Sequence, residues 1–192
     1  MSIIVNMLAF QVAWFACVLG GAAGLWWLGP AATLPVVALF VASAPGRRKM
    51  ALGFVVFTTL VGVVIETLAS GRVYDFVEQG GMALPRLQGL AWMAALWAGF
   101  ATTLPRSLAW CSRRPLLAIL CGASFGPLAF VAGEKLGALR LDESRTMALC
   151  SLAVVWAIAM PALGHLALRV VGTSGAARPS GARGEADATE SS

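Results

Sequence analysis

Residues 122–137 read GASFGPLAFVAGEKLG, with glycine at Gly122, Gly126, Gly133 and Gly137, Pro127 between them, and charge only at Glu134 and Lys135. Two folds compete for this string. Gly122-x-Ser124-x-Gly126 has the spelling of a nucleophile elbow, the sharp strand-to-helix turn of a soluble serine hydrolase. On an α-helix, by contrast, Gly122, Gly126, Ala129, Gly133 and Gly137 recur every three or four residues and form one edge of minimal bulk, open to close backbone approach. Composition decides between them. The chain is 59% hydrophobic and 12% charged, with a mean hydropathy of +0.81, whereas soluble domains carry about 25% charged residues. In hydrocarbon, helices associate through van der Waals contact between small residues, so the glycine edge reads as a packing device. Pro127 removes one intrahelical bond in the middle of that span.

Six apolar segments follow from the same reasoning: about Ile3 to Leu19, Leu25 to Ala44, Met50 to Ala69, Leu87 to Leu104, Pro115 to Ala132 and Met147 to Val171. Each approaches the ~20 residues that cross about 30 Å of hydrocarbon. Fusing the first two, across Gly20, Gly21, Gly24 and Pro30, makes a span far too long, so six is the better count. Arg47, Arg48 and Lys49 follow the second segment, and Arg106, Arg113 and Arg114 follow the fourth, without acidic residues beside them. These connections belong on the cytoplasmic side. The connections Ser70 to Arg86 and Gly133 to Arg145 balance five basic with five acidic residues and fit the outer side. The fold expected is thus all-α, a polytopic transmembrane helix bundle of about six spans over residues 1–171, with both termini cytoplasmic. Residues 172–192 lack large apolar side chains and read as a disordered cytoplasmic tail.

The net charge of +5 does not indicate nucleic acid, because the basic residues sit in short clusters between apolar runs and form no continuous face. Cys17, Cys111, Cys121 and Cys150 include no close pair, and His165 is the single histidine, so neither a disulfide framework nor a metal site is expected. No cofactor is implied. The first 46 residues hold no Lys or Arg, unlike a secretory signal, and the segment reads as retained.

Polar residues inside the spans are the candidate sites. Glu66 is the one acid well inside an apolar run, where a charge costs at least ~2.5 kcal/mol towards the bilayer centre. With Thr59, Gly62 and Ser70 it forms a polar stripe on the third span. That stripe reads either as a helix clamp, with Arg72 or Lys135 as partner, or as a binding or proton site. Asn6 and Gln11 on the first span lie at a depth similar to His165 on the sixth and are expected to form an interhelical polar network. Ser124 and His165 also invite comparison with intramembrane serine proteases of the rhomboid type, but Phe125 interrupts the Gly-x-Ser-Gly of that family.

Three stretches in order, NMLAFQVAWFACVLGGAAG (6–24), LAWMAALWAGFATTLPRSLAW (90–110) and GPLAFVAGEKLGAL (126–139), resemble the bacterial membrane proteins of domain-of-unknown-function family 2878. Asn6, Gln11, Trp14, Trp92, Trp97, Gly126, Pro127, Gly133 and Gly137 match the family pattern, whereas Glu66 stands where an aspartate is usual and Phe130 where a tyrosine is common. The resemblance implies a small multi-pass protein of the bacterial inner membrane, with a lipid or envelope role by association with lipid-modifying enzymes. The leading expectation is therefore an inner-membrane protein without catalytic chemistry, whose partners are membrane lipids and a lipid-modifying membrane protein. A proton-coupled carrier or lipid-handling protein using Glu66 is the second expectation, and a hydrolase using Ser124 and His165 the third.

Overall fold

Ser2 opens the first helix by accepting a hydrogen bond from the Val5 amide at 3.2 Å, an N-cap that supplies one of the partners a helix start lacks. The resulting α1 (Ile3–Ala22) is followed by α2 (Leu28–Ala42) and α3 (Arg48–Ala69). A short strand β1 (Tyr74–Phe76) precedes α4 (Pro85–Thr103), and α5 (Ala109–Ser112) leads into α6 (Pro115–Lys135). Strand β2 (Leu139–Leu141) and α7 (Arg145–Val170) complete the order. This computed structural model describes residues 2–77 and 85–172. Beyond Gly172, the expected disordered tail lies outside the described residues.

Four helices, α1, α3, α6 and α7, are long and apolar enough to cross a membrane. Helix α2 has 15 residues, about 22 Å at 1.5 Å per residue, and α4 has 19, about 28 Å. Helix α2 is apolar but short, with Leu34 and Leu39 exposed, whereas α4 differs from the others for a different reason. Helix α4 is the centre of the bundle, packed by α1, α2 and α3, and from Gln88 to Ser107 no residue is exposed. A helix enclosed by protein needs no lipid-facing apolar surface, so glycine, alanine and threonine replace leucine along it. On the outer helices the distribution is reversed. Ile4, Val12, Leu60, Leu120 and Ile158 are exposed, while Ala13, Ala51, Gly62, Gly122 and Gly164 face inward, as expected where the solvent is hydrocarbon.

The bundle is all-helical, as expected, apart from one two-stranded antiparallel ribbon of three-residue strands. Tyr74 lies opposite Leu141, Asp75 opposite Arg140 and Phe76 opposite Leu139. Both strands alternate apolar and charged residues, the period-2 pattern of a half-buried strand. The ribbon joins the 70–86 and 133–145 connections at one end of the bundle. Helix α6 continues through Pro127 and ends in a turn where Gly137 adopts a φ of +83°. Its amide donates to Glu134 O at 2.9 Å and the Ala138 amide to Gly133 O at 3.0 Å, closing the helix by a Schellman motif that favours glycine at that position. Gly137 thus turns the chain just beyond the helix that carries Gly122, Gly126 and Gly133. Glu134 then fixes the passage from α6 through β2 into α7, accepting from the Leu141 amide at 3.0 Å and pairing with Arg145 at 2.7 Å.

At the opposite end, Arg47 Nη1 donates to Val171 O at 3.3 Å, and Arg106 Nη2 donates to Ser43 O at 3.0 Å. These bonds gather the α2–α3 connection, the corner after α4 and the end of α7.

Candidate functional site

Helix α3 buries Ala51, Phe54, Val55, Thr58, Gly62 and Glu66. Gly62 matters because a Cβ there would strike the Trp97 indole, so only glycine lets α4 bring that ring against α3. Trp97 Nε1 then donates to Glu66 Oε1 at 2.9 Å. From the ribbon, the Tyr74 hydroxyl donates to Glu66 Oε2 at 2.6 Å. The carboxyl is 2% exposed, and these two donors replace the expected partners Arg72 and Lys135. Arg72 instead turns back along its own helix to Leu68 O at 2.9 Å, because a side chain at the helix end reaches solvent more easily than the bundle interior. Burial, and then the neighbouring Glu66 carboxyl, holds the Tyr74 phenol well above its ordinary pKa, so it remains an O–H donor at neutral pH.

The glycine edge of α6 reaches the same group through two aromatic rings. A Cβ on Gly126 would strike the Trp156 side chain, and one on Gly122 would strike the Trp156 carbonyl. Trp156 stacks on Trp97 with centroids 5.0 Å apart and planes 13° from parallel. Gly126, Trp156, Trp97 and Glu66 therefore form one continuous line of contact. Tyr74 packs on Phe130 at 5.1 Å, and Phe76 sits against Gly89 and Trp92.

Between α1 and α6, over α4, the bundle holds a cleft of about 460 Å³. Phe10, Gln11 and Trp14 come from α1, Trp92, Leu96 and Trp97 from α4, and the α6 stretch from Cys121 to Gly133 forms the facing wall. The lining is aromatic and aliphatic, and among the described residues its single charged-type member is Glu66 at the ribbon end. Such a volume with one oriented polar group has the character of a small-molecule site. Phe125 and Leu128 line it and are also 66% and 57% exposed on the outer face of α6, so the mouth opens sideways.

Of the remaining sequence candidates, Gln11 also lines the cleft and the others fall elsewhere. Thr59 donates to Val55 O within its own helix at 2.8 Å, and the neighbouring Thr58 is the buried threonine of that face. Ser70 is buried, its hydroxyl without a partner among the described residues, in a second pocket with Asp75, Arg86 and Arg140. Asn6 is fully buried, its Nδ2 donating to Thr102 Oγ1 at 3.1 Å and its Oδ1 accepting from Ser107 Oγ at 2.9 Å. Gln11 and His165 are exposed, so the contacts that hold Asn6 come from α4 and the corner after it. Ser124 is exposed as well. The residues sequence reasoning missed are Tyr74, Thr102, Ser107 and Trp156. Tyr74 carried a signal, as the single tyrosine of the chain, in an alternating stretch eight residues after the buried acid.

No curated protein and no solved structure matches the chain. Its sequence does match one family over residues 3–162, from the first helix into the last, and the chain belongs to DUF2878, a family of proteins of unknown function.

Proposed function

We propose that this chain is a six-span protein of the bacterial inner membrane that holds the apolar chain of a lipid in the cleft between α1 and α6. It does no covalent chemistry itself and serves lipid or envelope homeostasis beside a lipid-modifying membrane enzyme. The observation that carries this reading is the sideways mouth of the cleft. Phe125 and Leu128 belong both to the lining and to the exposed face of a helix long enough to cross the membrane, so a lipid tail can enter from the bilayer without passing through water. The six-span count is supported by α4, enclosed by α1, α2 and α3, and by α2, whose exposed Leu34 and Leu39 continue the apolar outer face. The cytoplasmic assignment of both termini is supported by Arg47, Arg48, Lys49, Arg106, Arg113 and Arg114, which lie in the connections at the end of the bundle opposite the ribbon.

Native mass spectrometry of the purified protein tests this. Wild type is expected to release a bound lipid on activation, and Ala129→Trp, which fills the cleft wall, to lose it while eluting as folded protein. A wild type free of lipid, or an equal lipid load in Ala129→Trp, overturns the reading.

A further inference from the structure

The cleft has one feature that a passive slot for hydrocarbon does not need, the Glu66 carboxyl in its lining. Desolvating a carboxyl costs several kcal/mol even with partners, and a helix clamp could be built from neutral groups, as it is around Asn6. Each oxygen of Glu66 takes one donor, Trp97 Nε1 on Oε1 and the Tyr74 hydroxyl on Oε2. Each oxygen of the ionised group keeps a second lone pair, and the carbonyl oxygen keeps one in the neutral acid. The two donors fix the carboxyl plane at the ribbon end of the cleft, so an incoming group meets a pre-oriented acceptor whose position costs nothing further to organise.

Resting on the lipid-chain reading above, we propose that the occupant is a lipid alcohol, its hydroxyl donating to Glu66 and its apolar chain running along α6 towards Cys121. The chemistry of the lining selects among polar heads. Gln11, Cys121 and the indole N–H groups are its other polar side chains, and none among the described residues is a cation, so a phosphate head would face a carboxyl with no Arg or Lys of that lining to offset its charge. An ammonium would bring a counter-charge to the carboxyl, but it carries three donors and no acceptor, and a carboxyl already holding two protein donors leaves at least one N–H unpaired in an apolar lining. A hydroxyl has one donor to place and two lone pairs that tolerate apolar surroundings at lower cost. The length fits as well. From Gly133 to Cys121 the α6 wall is about 18 Å long, on the order of fourteen extended methylenes.

The test is displacement of tritiated hexadecan-1-ol from the full-length protein in amphipol by four sixteen-carbon competitors. These are the unlabelled alcohol, its methyl ether, hexadecylamine and hexadecyl phosphate. The alcohol is expected to compete about tenfold better than the ether, which matches one buried hydrogen bond to a charged-type acceptor. It is also expected to outcompete the amine and the phosphate. Glu66→Gln should bring alcohol and ether to within threefold of each other while the label still binds. Equal competition by alcohol and ether in wild type, or preference for the amine or the phosphate, overturns the lipid-alcohol assignment and leaves the lipid-chain reading standing. Failure of wild type to bind the label, when native mass spectrometry also finds no lipid, removes both. The comparison of competitors is made on wild type, so it holds even if Glu66→Gln does not fold.

Discussion

Buried polar side chains hold α4 at two places, at Thr102 near its C-terminal end and at Trp97 further inward, and the two are built on different plans. At the Asn6 end the groups are neutral and closed upon one another. Asn6 joins Thr102 and Ser107, while Thr102 and Thr103 donate to Gly99 O at 2.8 Å and Phe100 O at 2.7 Å on their own helix. Nearby, Arg106 lies over the Phe40 ring at 5.6 Å and holds the Ser43 carbonyl. At the Glu66 end a single carboxyl gathers donors from α4 and the ribbon and lines the cleft. Both arrangements fasten α4 to a neighbour. Asn6 keeps the second N–H of its Nδ2 but lies away from the cleft, whereas Glu66 lines it. Buried polarity beside a cavity, unlike buried polarity packed among side chains, is placed to receive something else.

The largest effect expected from breaking this contrast comes from Gly126→Leu. A side chain there must displace Trp156, whose ring supports Trp97 and through it the carboxyl. Overpacking of this kind costs about 3 kcal/mol or more where neighbours cannot yield, so the variant is expected to lose most folded protein in a thermal size-exclusion assay. Near-wild-type melting would show that α7 does not press on that edge. Asn6→Ala sharpens the comparison from the other end. It removes the bonds to Thr102 and Ser107, and interhelical hydrogen bonds in membranes are worth about 0.6 to 2 kcal/mol each. A measurable fall in melting temperature is expected, with hexadecanol binding unchanged, because the Asn6 cluster does not line the cleft. Loss of binding in Asn6→Ala would erase the distinction between the two ends.

What the sequence makes legible follows from what is local. The four-residue spacing of Gly122 and Gly126, the length of each apolar run and the isolation of Glu66 are properties of single segments. The partners of Glu66 are not. Trp97 is 31 residues away and Tyr74 lies on a three-residue strand inside a connection, where the alternating pattern is too short to stand out. The cleft is less legible still, since it is a gap between α1 and α6, helices that are not consecutive in the chain, and nothing in either segment encodes a contact that is not made. His165 shows the converse. Its depth matches Asn6, but depth does not fix the direction in which a helical residue points, and it faces outward.

Thr58 and Thr59 give the smallest and most discriminating test, because adjacent residues lie about 100° apart on a helix and sequence spacing to Gly62 suits both. The stripe drawn through Thr59, Gly62, Glu66 and Ser70 is rotated by one residue at its inner end. Thr58 is fully buried with a hydroxyl that has no partner among the described residues, and Thr59 is half-buried and bonded to Val55 O. Valine preserves the branched shape in both cases. Thr58→Val removes an unsatisfied hydroxyl and is expected to leave stability unchanged or raise it by about 0.5 kcal/mol. Thr59→Val removes a bond within its own helix, whose carbonyl keeps its backbone partner, and is expected to shift stability by less than about 0.5 kcal/mol in either direction. Thermal unfolding of the two variants side by side decides it. A loss of more than about 1 kcal/mol in Thr58→Val would mean that its hydroxyl is bonded across to α4, which would extend the closed plan of the Asn6 end almost to the carboxyl and narrow the contrast on which the cleft assignment rests.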